Sequence, residues 1–195
     1  MPPIDRSAAA RAIADFLSAL GHDPKSDPEL AATPERVVDA YADELLSGYG
    51  VDIERLLKEG SPPTPGRTPG IVVVRDIALA TVCPHHLLPS LGHATVAYRP
   101  GARVLGLGTL AKLVDAYARR LTLQEHIGEH VVDALVTHAG AGGAFCQITL
   151  RHGCLSARGS RQAEATVRTQ AAAGELATPD GQRALEAALR QEWDG

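Results

Sequence analysis

A proline-rich segment constrains this chain more than any other feature. Gly60-SPPTPGRTP-Gly70 holds four prolines. Proline fixes φ and removes a backbone donor, so neither a helix interior nor a central strand runs through such a stretch. The segment is a loop, and the hydrophobic period changes across it. Before it, apolar residues recur at helical spacing. After it, they first follow strand patterns.

On the N-terminal side, Ile4, Ala8, Ile13, Phe16, Leu17 and Leu20 predict an amphipathic helix that stops at Gly21. Thr33-Pro34 predicts a second helix start, with Thr as cap and Pro in the first turn. Val37, Val38, Tyr41, Leu45 and Leu46 then form one apolar stripe that ends near Gly48. On the C-terminal side, IVVVRDIALATV is β-rich and HATVAYR alternates as a half-buried strand does. Helical period returns over Thr109–Arg120, through Leu110, Leu113, Val114 and Tyr117. It continues over Thr122–His138, through Ile127, Val131, Val132 and Leu135. Ala144–Arg151 reads as a strand, Gln162–Gln170 as an alternating segment with one polar face, and TPDGQRALEAALRQEW as a closing helix. Antiparallel strands with helices on one face predict an α+β fold. The expected organisation is a helical region over 1–60, a proline-rich loop over 61–70 and a mixed body over 71–195. The helical part is too short to complete a core alone, so one structural domain is expected.

Composition narrows the function. A chain of 195 residues suits one domain. A formal net charge of −4 argues against binding nucleic acid through bulk charge. The longest clean aliphatic stretch, Ile71–Val74, is far short of the roughly 20 residues a membrane-spanning helix needs. Asp5, Arg6 and Asp15 interrupt the N-terminal apolar positions, which is no export signal, so a reducing cytoplasm is expected. Cys83, Cys146 and Cys154 cannot form a disulfide framework.

Two short stretches carry chemistry: Thr81-Val82-Cys83-Pro84-His85-His86 and Arg151-His152-Gly153-Cys154. Cys83 and His86 are spaced so that one turn can aim both at a single ion. His152 and Cys154 lie two apart at an expected strand end, where side chains at i and i+2 share a face. Cys83, His86 and Cys154 would supply two thiolates and an imidazole, leaving a fourth position for water as in a catalytic zinc site. His85 and His152 would then be placed to move protons near neutral pH. Spacing alone leaves the alternative open: a chance pair, with free thiols that serve as small core hydrophobes. Cys146, inside AFCQITL, reads as core. His126 and His130 read as a solvated helix face, and HIGEH lacks the zinc-protease order. Gln124-Glu125 suits the dipole of a helix start without further meaning, and Arg119-Arg120 reads as a surface pair. No dinucleotide fingerprint, phosphate loop or serine-hydrolase elbow is present in the sequence.

Taken together and in order, TPERVVDAYADELLSG, CPHHLLPSLGHATVAY, VLGLGTLAKLVDAYARRLTLQE and HGCLSARG resemble GTP cyclohydrolase I over about Thr33–Gly174. The resemblance implies a tunnelling fold, in which subunits join antiparallel sheets into a barrel with helices outside. It implies a homo-oligomer, a decamer of two stacked pentamers, with active sites between subunits. It also implies Zn2+ on Cys83, His86 and Cys154. Proton transfer would fall to His85 and His152. Recognition of the guanine edge would fall to Gln124 and Glu125, and phosphate contacts to Arg158, Arg36 and Lys112. The reaction implied is hydrolysis of GTP to 7,8-dihydroneopterin triphosphate and formate, the first step of pterin and tetrahydrofolate biosynthesis.

The sequence departs from the family pattern at four places. Pro84 stands where the Cys-Glu-His-His block has Glu, and Gly108-Thr109 stands where a Ser-Lys pair is common. Lys112 replaces an Arg and loses its bidentate fork. Asp39 occupies the place of a Lys. Two phosphate-facing cations are thereby lost, so weaker triphosphate binding is expected. Two other readings follow: a zinc cyclohydrolase of the same fold acting on a different or less phosphorylated purine, and a non-catalytic binding protein of that fold.

Overall fold

The structure, a computed structural model, describes residues 3–65 and 69–190. The chain opens with α1 (Arg6–Ala19), capped by the Asp5 carboxylate, which accepts from the Ala8 N–H at 2.9 Å. Next comes α2 (Thr33–Asp39), with Pro34 in its first turn. The second helix does not run unbroken to Gly48. It passes into a π-helical turn, Ala40–Leu45, and then a 3-10 turn, Ser47–Gly50. The proline-free segment after it forms α3 (Ile53–Lys58), which periodicity does not predict; Asp52 caps it through the Arg55 N–H.

The body is α+β, as the sequence predicts. Four antiparallel strands lie in the order β1 (Val72–Val82), β2 (Pro89–Arg99), β3 (Gly143–His152), β4 (Val167–Gly174). Between β2 and β3 come α4 (Leu107–Ala118) and α5 (Gln124–Thr137). One turn of helix, α6 (Gly153–Ser156), follows β3, and α7 (Pro179–Arg190) closes the described chain. The last residues expected in the closing helix, Gln191–Trp193, lie outside the described residues, as do 66–68 of the proline-rich loop. The fourth strand begins later than the alternation suggests, because residues 162–166 form a turn before it.

The main core lies between α4, α5 and one face of the sheet. Leu110, Leu113 and Val114 from α4 and Ile127, Val131 and Leu135 from α5 are fully buried against Val96, Ile148 and Leu150. Period-2 burial on the strands and a 3.6-residue stripe on the helices make these two surfaces complementary. A smaller cluster, Ala97, Phe145, Leu176 and Leu185, seats α7 on the opposite side of the sheet. Cys146 is fully buried, as its apolar sequence context predicts.

Register carries these rows toward the functional end of the sheet. Ile77, Ala94 and Ile148 are cross-strand neighbours, followed by Leu79, Gly92 and Leu150. The next row is polar: Thr81, Ser90 and His152. Thr81 and Ser90 are both buried. The apolar core therefore ends in a row of hydroxyls and an imidazole. An isolated parallel bridge between Val82 and Leu121 holds the α4–α5 connection beside the end of β1. That bridge brings the N-terminus of α5 to the same end of the sheet.

Arg119 and Arg120 are not a free surface pair. Arg119 binds Asp115 at 2.7 Å and the Glu44 carbonyl at 2.9 Å. Arg120 donates to the carbonyls of Ala116 and Gly48 and lies 4.7 Å from the centre of the Tyr117 ring. Their stems pack while their heads bond, so both staple the N-terminal helical region to α4.

Candidate metal centre and active-site cleft

Cys83 opens the six-residue turn between β1 and β2. Its N–H donates to the Leu88 carbonyl at 3.0 Å, and its own carbonyl accepts from the Leu87 N–H at 2.9 Å. Pro84 takes the position after Cys83, where a fixed φ helps and no N–H is used by the turn. The chain then presents His85 and His86 to solvent and closes through Leu87, which adopts φ 53°. The Tyr41 hydroxyl, from the π-helical turn, donates to the Leu87 carbonyl at 2.5 Å. The helical region thus holds the turn in place.

Cys154 comes from α6 rather than from the strand. β3 ends at His152, and the Ser156 hydroxyl and Ala157 N–H bond back to the carbonyls of His152 and Gly153. The expected i, i+2 strand geometry is therefore replaced by a strand-to-helix turn. Gly153 makes the turn possible: a Cβ there would lie 2.6 Å from the Pro89 carbonyl oxygen. This close approach sets Cys154 beside the Cys83 turn.

The ligand atoms of Cys83, His86 and Cys154 all lie within 4.8 Å of one another. Cys83 Sγ and His86 Nδ1 are 3.6 Å apart. A tetrahedral ion with zinc–sulfur and zinc–nitrogen bonds of ordinary length separates such a pair by about 3.6 Å. The spacing and the soft donor set fit zinc. Burial pushes the Cys154 thiol up, and the nearby Cys83 sulfur adds to it, with Arg158 pulling the other way. Neighbouring sulfurs that resist ionising together favour a cation between them.

The cleft beside this trio has a volume of about 310 Å³ and is lined by Thr81, Cys83, His85, Ser90, Gln124, Glu125, His152 and Cys154 among others. A larger cavity of about 540 Å³ lies between α1 and residues 24–35. Its lining holds none of the metal-ligating or proton-moving residues read from the sequence, whereas Cys83, His85, His152 and Cys154 all line the smaller one.

Gln124 and Glu125 occupy the first turn of α5 but differ in setting. Glu125 is exposed in the cleft. Gln124 is 3% exposed, and its amide N–H groups donate to the carbonyls of Ile148 and Val167, both at 3.0 Å. Its Oε1 meets His152 Nε2 at 2.8 Å. On the other side of the ring, Ser90 Oγ lies 3.0 Å from His152 Nδ1. Burial lowers the pKa of His152, and the Glu125 carboxylate partly restores it.

The remaining residues read from the sequence are scattered in a single chain. Arg36 on α2, Lys112 on α4 and Arg158 after α6 lie outside the cleft lining. Arg158 acts at a distance, through its charge on Cys154. Asp39 is paired with Arg6 at 2.8 Å, and Arg6 also binds Asp43. Motif spacing does not single out Ser90 or Tyr41. Ser90 does carry a signal, as a polar residue on the inward face of a strand that otherwise reads Gly92, Ala94, Val96. The Tyr41 hydroxyl carries none, because its ring counts toward an apolar stripe.

Comparison with known proteins agrees with this geometry. The family model described as GTP cyclohydrolase I matches residues 9–190. GTP cyclohydrolase 1 of Leifsonia xyli is 43% identical over 189 residues, covering 97% of each chain. That of Allorhizobium ampelinum is 38% identical, covering 89% of this chain and 85% of its own. That of Campylobacter lari is 37% identical, covering 84% of each. A match over nearly the whole length, with the Cys83, His86 and Cys154 donors converging on one point, means that this chain belongs to the GTP cyclohydrolase I family.

Proposed function

We propose that the protein hydrolyses GTP to 7,8-dihydroneopterin triphosphate and formate, using zinc held by Cys83, His86 and Cys154. The observation that carries this reading is the convergence of those three donors beside His85, Glu125 and His152. A zinc ion bound there supplies a water activated for attack near neutral pH.

The chain's own residues do the rest. The Glu125 carboxylate accepts from the guanine N1–H and the exocyclic amine, two donors that match its two oxygens. Its place in the first turn of α5 suits its negative charge. Gln124 is spent inside the protein and serves by holding the His152 ring. His85 and His152 exchange protons with the purine ring nitrogen and the ribose oxygen as the imidazole ring opens, formate leaves and the ribose rearranges, His152 freeing its Nδ1 from Ser90 to do so. Arg158, Arg36 and Lys112 are assigned to the triphosphate.

Cations outside the cleft suit a site completed by a second subunit. Among the described residues no strand pairs with the outer edge of β1 or of β4, and unpaired edges invite pairing with another chain. Leu91 and Leu107 are 59% and 65% exposed. We infer a homo-oligomer whose subunits extend the sheet into a barrel, a decamer of two pentamers. Within each subunit the helical region and the body form one structural domain, a reading supported by the Tyr41–Leu87 and Arg119–Glu44 bonds. No helix among the described residues is long and apolar enough to cross a membrane; we place the protein in the cytoplasm.

The metal assignment is tested by Cys154→Ser. The variant is expected to lose bound zinc and GTP turnover together while its far-UV circular dichroism stays as in the unaltered protein. Retention of zinc with full turnover would overturn the ligand set.

A further inference from the structure

His152 is gripped at both ring nitrogens, and the grip defines which of them carries the proton. Gln124 is the fixed point. Both of its amide N–H groups are used on backbone carbonyls, of Ile148 in β3 and Val167 in β4. Turning the amide over would aim two carbonyl oxygens at Oε1 and leave both N–H groups misplaced in a buried position, which is costly. The amide orientation is therefore set, and Oε1 is the atom that faces His152 Nε2. Only an N–H satisfies that oxygen, so Nε2 is protonated. In the neutral ring Nδ1 is then a bare acceptor. Its partner is the hydroxyl of Ser90, 3.0 Å away and itself 1% exposed.

We propose that Ser90 is a positioning residue for His152. Its hydroxyl donates to Nδ1 and, with Gln124 holding the Nε2–H, fixes the orientation of the ring in the cleft. The proposal rests on the reading of this cleft as the GTP cyclohydrolase site and adds to it a residue to which the family resemblance gives no role. Strand register supplies the geometry, since Ser90 and His152 are direct partners across β2 and β3. Ser90 also has room to serve as a donor. Thr81, its partner on β1, is buried, and its hydroxyl finds no hydrogen-bond partner among the described residues. No other group in this row competes for the Ser90 proton.

The alternative role for Ser90 is packing alone. A small polar residue that fills the end of the core would matter for its volume, not for its hydroxyl. The two roles separate on which replacement restores function, and on the state of the ring.

The test uses zinc-loaded protein carrying 15N-labelled histidine, with the His152 signals assigned by difference from His152→Gln. Nitrogen chemical shifts distinguish a ring N–H from a bare ring nitrogen. The unaltered protein should show His152 in a single Nε2–H form near neutral pH. Ser90→Ala should keep the proton on Nε2, held by Gln124, and move the Nδ1 signal toward that of an unbonded ring nitrogen. It should lower kcat for GTP about tenfold or more with KM within about twofold, as expected when a proton-transfer group loses its alignment. Ser90→Thr keeps the hydroxyl and should restore both the spectrum and most of kcat. Ser90→Cys keeps the size but offers a weak donor, and should resemble Ser90→Ala. A Ser90→Ala ring spectrum identical to that of the unaltered protein overturns the proposal. So does equal loss of kcat in the Ala and Thr variants with an unchanged ring spectrum. If the unaltered protein does not turn over GTP, the functional reading falls, while the ring spectra of the three variants still decide the role of Ser90.

Discussion

Gln124 and Glu125 are neighbours in sequence with opposite settings in the structure. The sequence shows a polar pair at a helix start and cannot separate them, since a helix places consecutive residues about 100° apart and either could face the sheet. Packing separates them: Gln124 is buried under β3 and β4, whereas Glu125 opens to the cleft. Glu125→Gln replaces an acceptor-only carboxylate with an amide that offers one acceptor and two donors. A charge-assisted bond contributes roughly 1.5–3 kcal/mol, so KM for GTP is expected to rise about 10- to 100-fold, measured by steady-state kinetics. An unchanged KM would remove Glu125 from guanine recognition. His152→Ala is expected to keep its zinc, because His152 is not among the three converging donors. It should lose at least about a hundredfold in kcat. Normal turnover with zinc retained would end its role in proton transfer.

At the scale of elements, the strands and the two central helices are legible in the sequence because burial imposes its period on them. Val96 and Ile148, or Leu110 and Val131, mark a buried face by their spacing alone. The break in the second helix is not legible. Its apolar stripe runs on through Tyr41 and Leu45 while the backbone passes into π and 3-10 turns. That change is made by contacts distant in sequence, including Tyr41 with Leu87 and Arg119 with the Glu44 carbonyl. The turn that carries Cys154 reads as strand in the sequence for a related reason. Gly153 follows β3 in sequence, but its conformation answers to the Pro89 carbonyl on the neighbouring strand. Gly153→Ala places a methyl where only 2.6 Å is available to that backbone oxygen. The turn must shift and carry Cys154 away from Cys83. We expect faster loss of zinc to a competing chelator, at least about tenfold, together with a stability loss of about 1–3 kcal/mol. Zinc retention equal to that of the unaltered protein would mean that the turn tolerates the shift.

For the molecule as a whole, α1 is attached through a half-buried apolar face that includes Ile13 and Leu17, and through ion pairs. No residue of α1 is buried, and Phe16 is 60% exposed. Arg6 bridges α1 to Asp39 and Asp43. The hydrogen bond from Arg6 holds the Asp43 carboxyl below its ordinary value of 3.8, partly offset by desolvation. A carboxylate with a depressed folded pKa contributes stability above its unfolded pKa and loses it as pH falls through the folded one. The α1 amides should therefore lose hydrogen-exchange protection as pH drops below about 3.8, with no change from this pair between about pH 5 and 8. Arg6→Gln should abolish the acid-dependent part. Identical acid profiles for the two proteins would assign the attachment of α1 to something else. The barrel proposed above is not legible in one chain, because the edges of β1 and β4 would meet partners only in another copy. The same holds for the cations outside the cleft, which would acquire a common target only in an assembly.

The most direct measurement is turnover of GTP by zinc-loaded protein, followed as formate release together with the fluorescence of the oxidised neopterin product. The proposed site, with the Cys83, His86 and Cys154 donors beside a cleft lined by His85, His152 and Glu125, predicts both products in equal amounts, and neither after the metal is removed. Protein holding about one zinc per chain that releases no formate from GTP would contradict it. Formate from guanosine or GMP under the same conditions would then point to a substrate without the triphosphate.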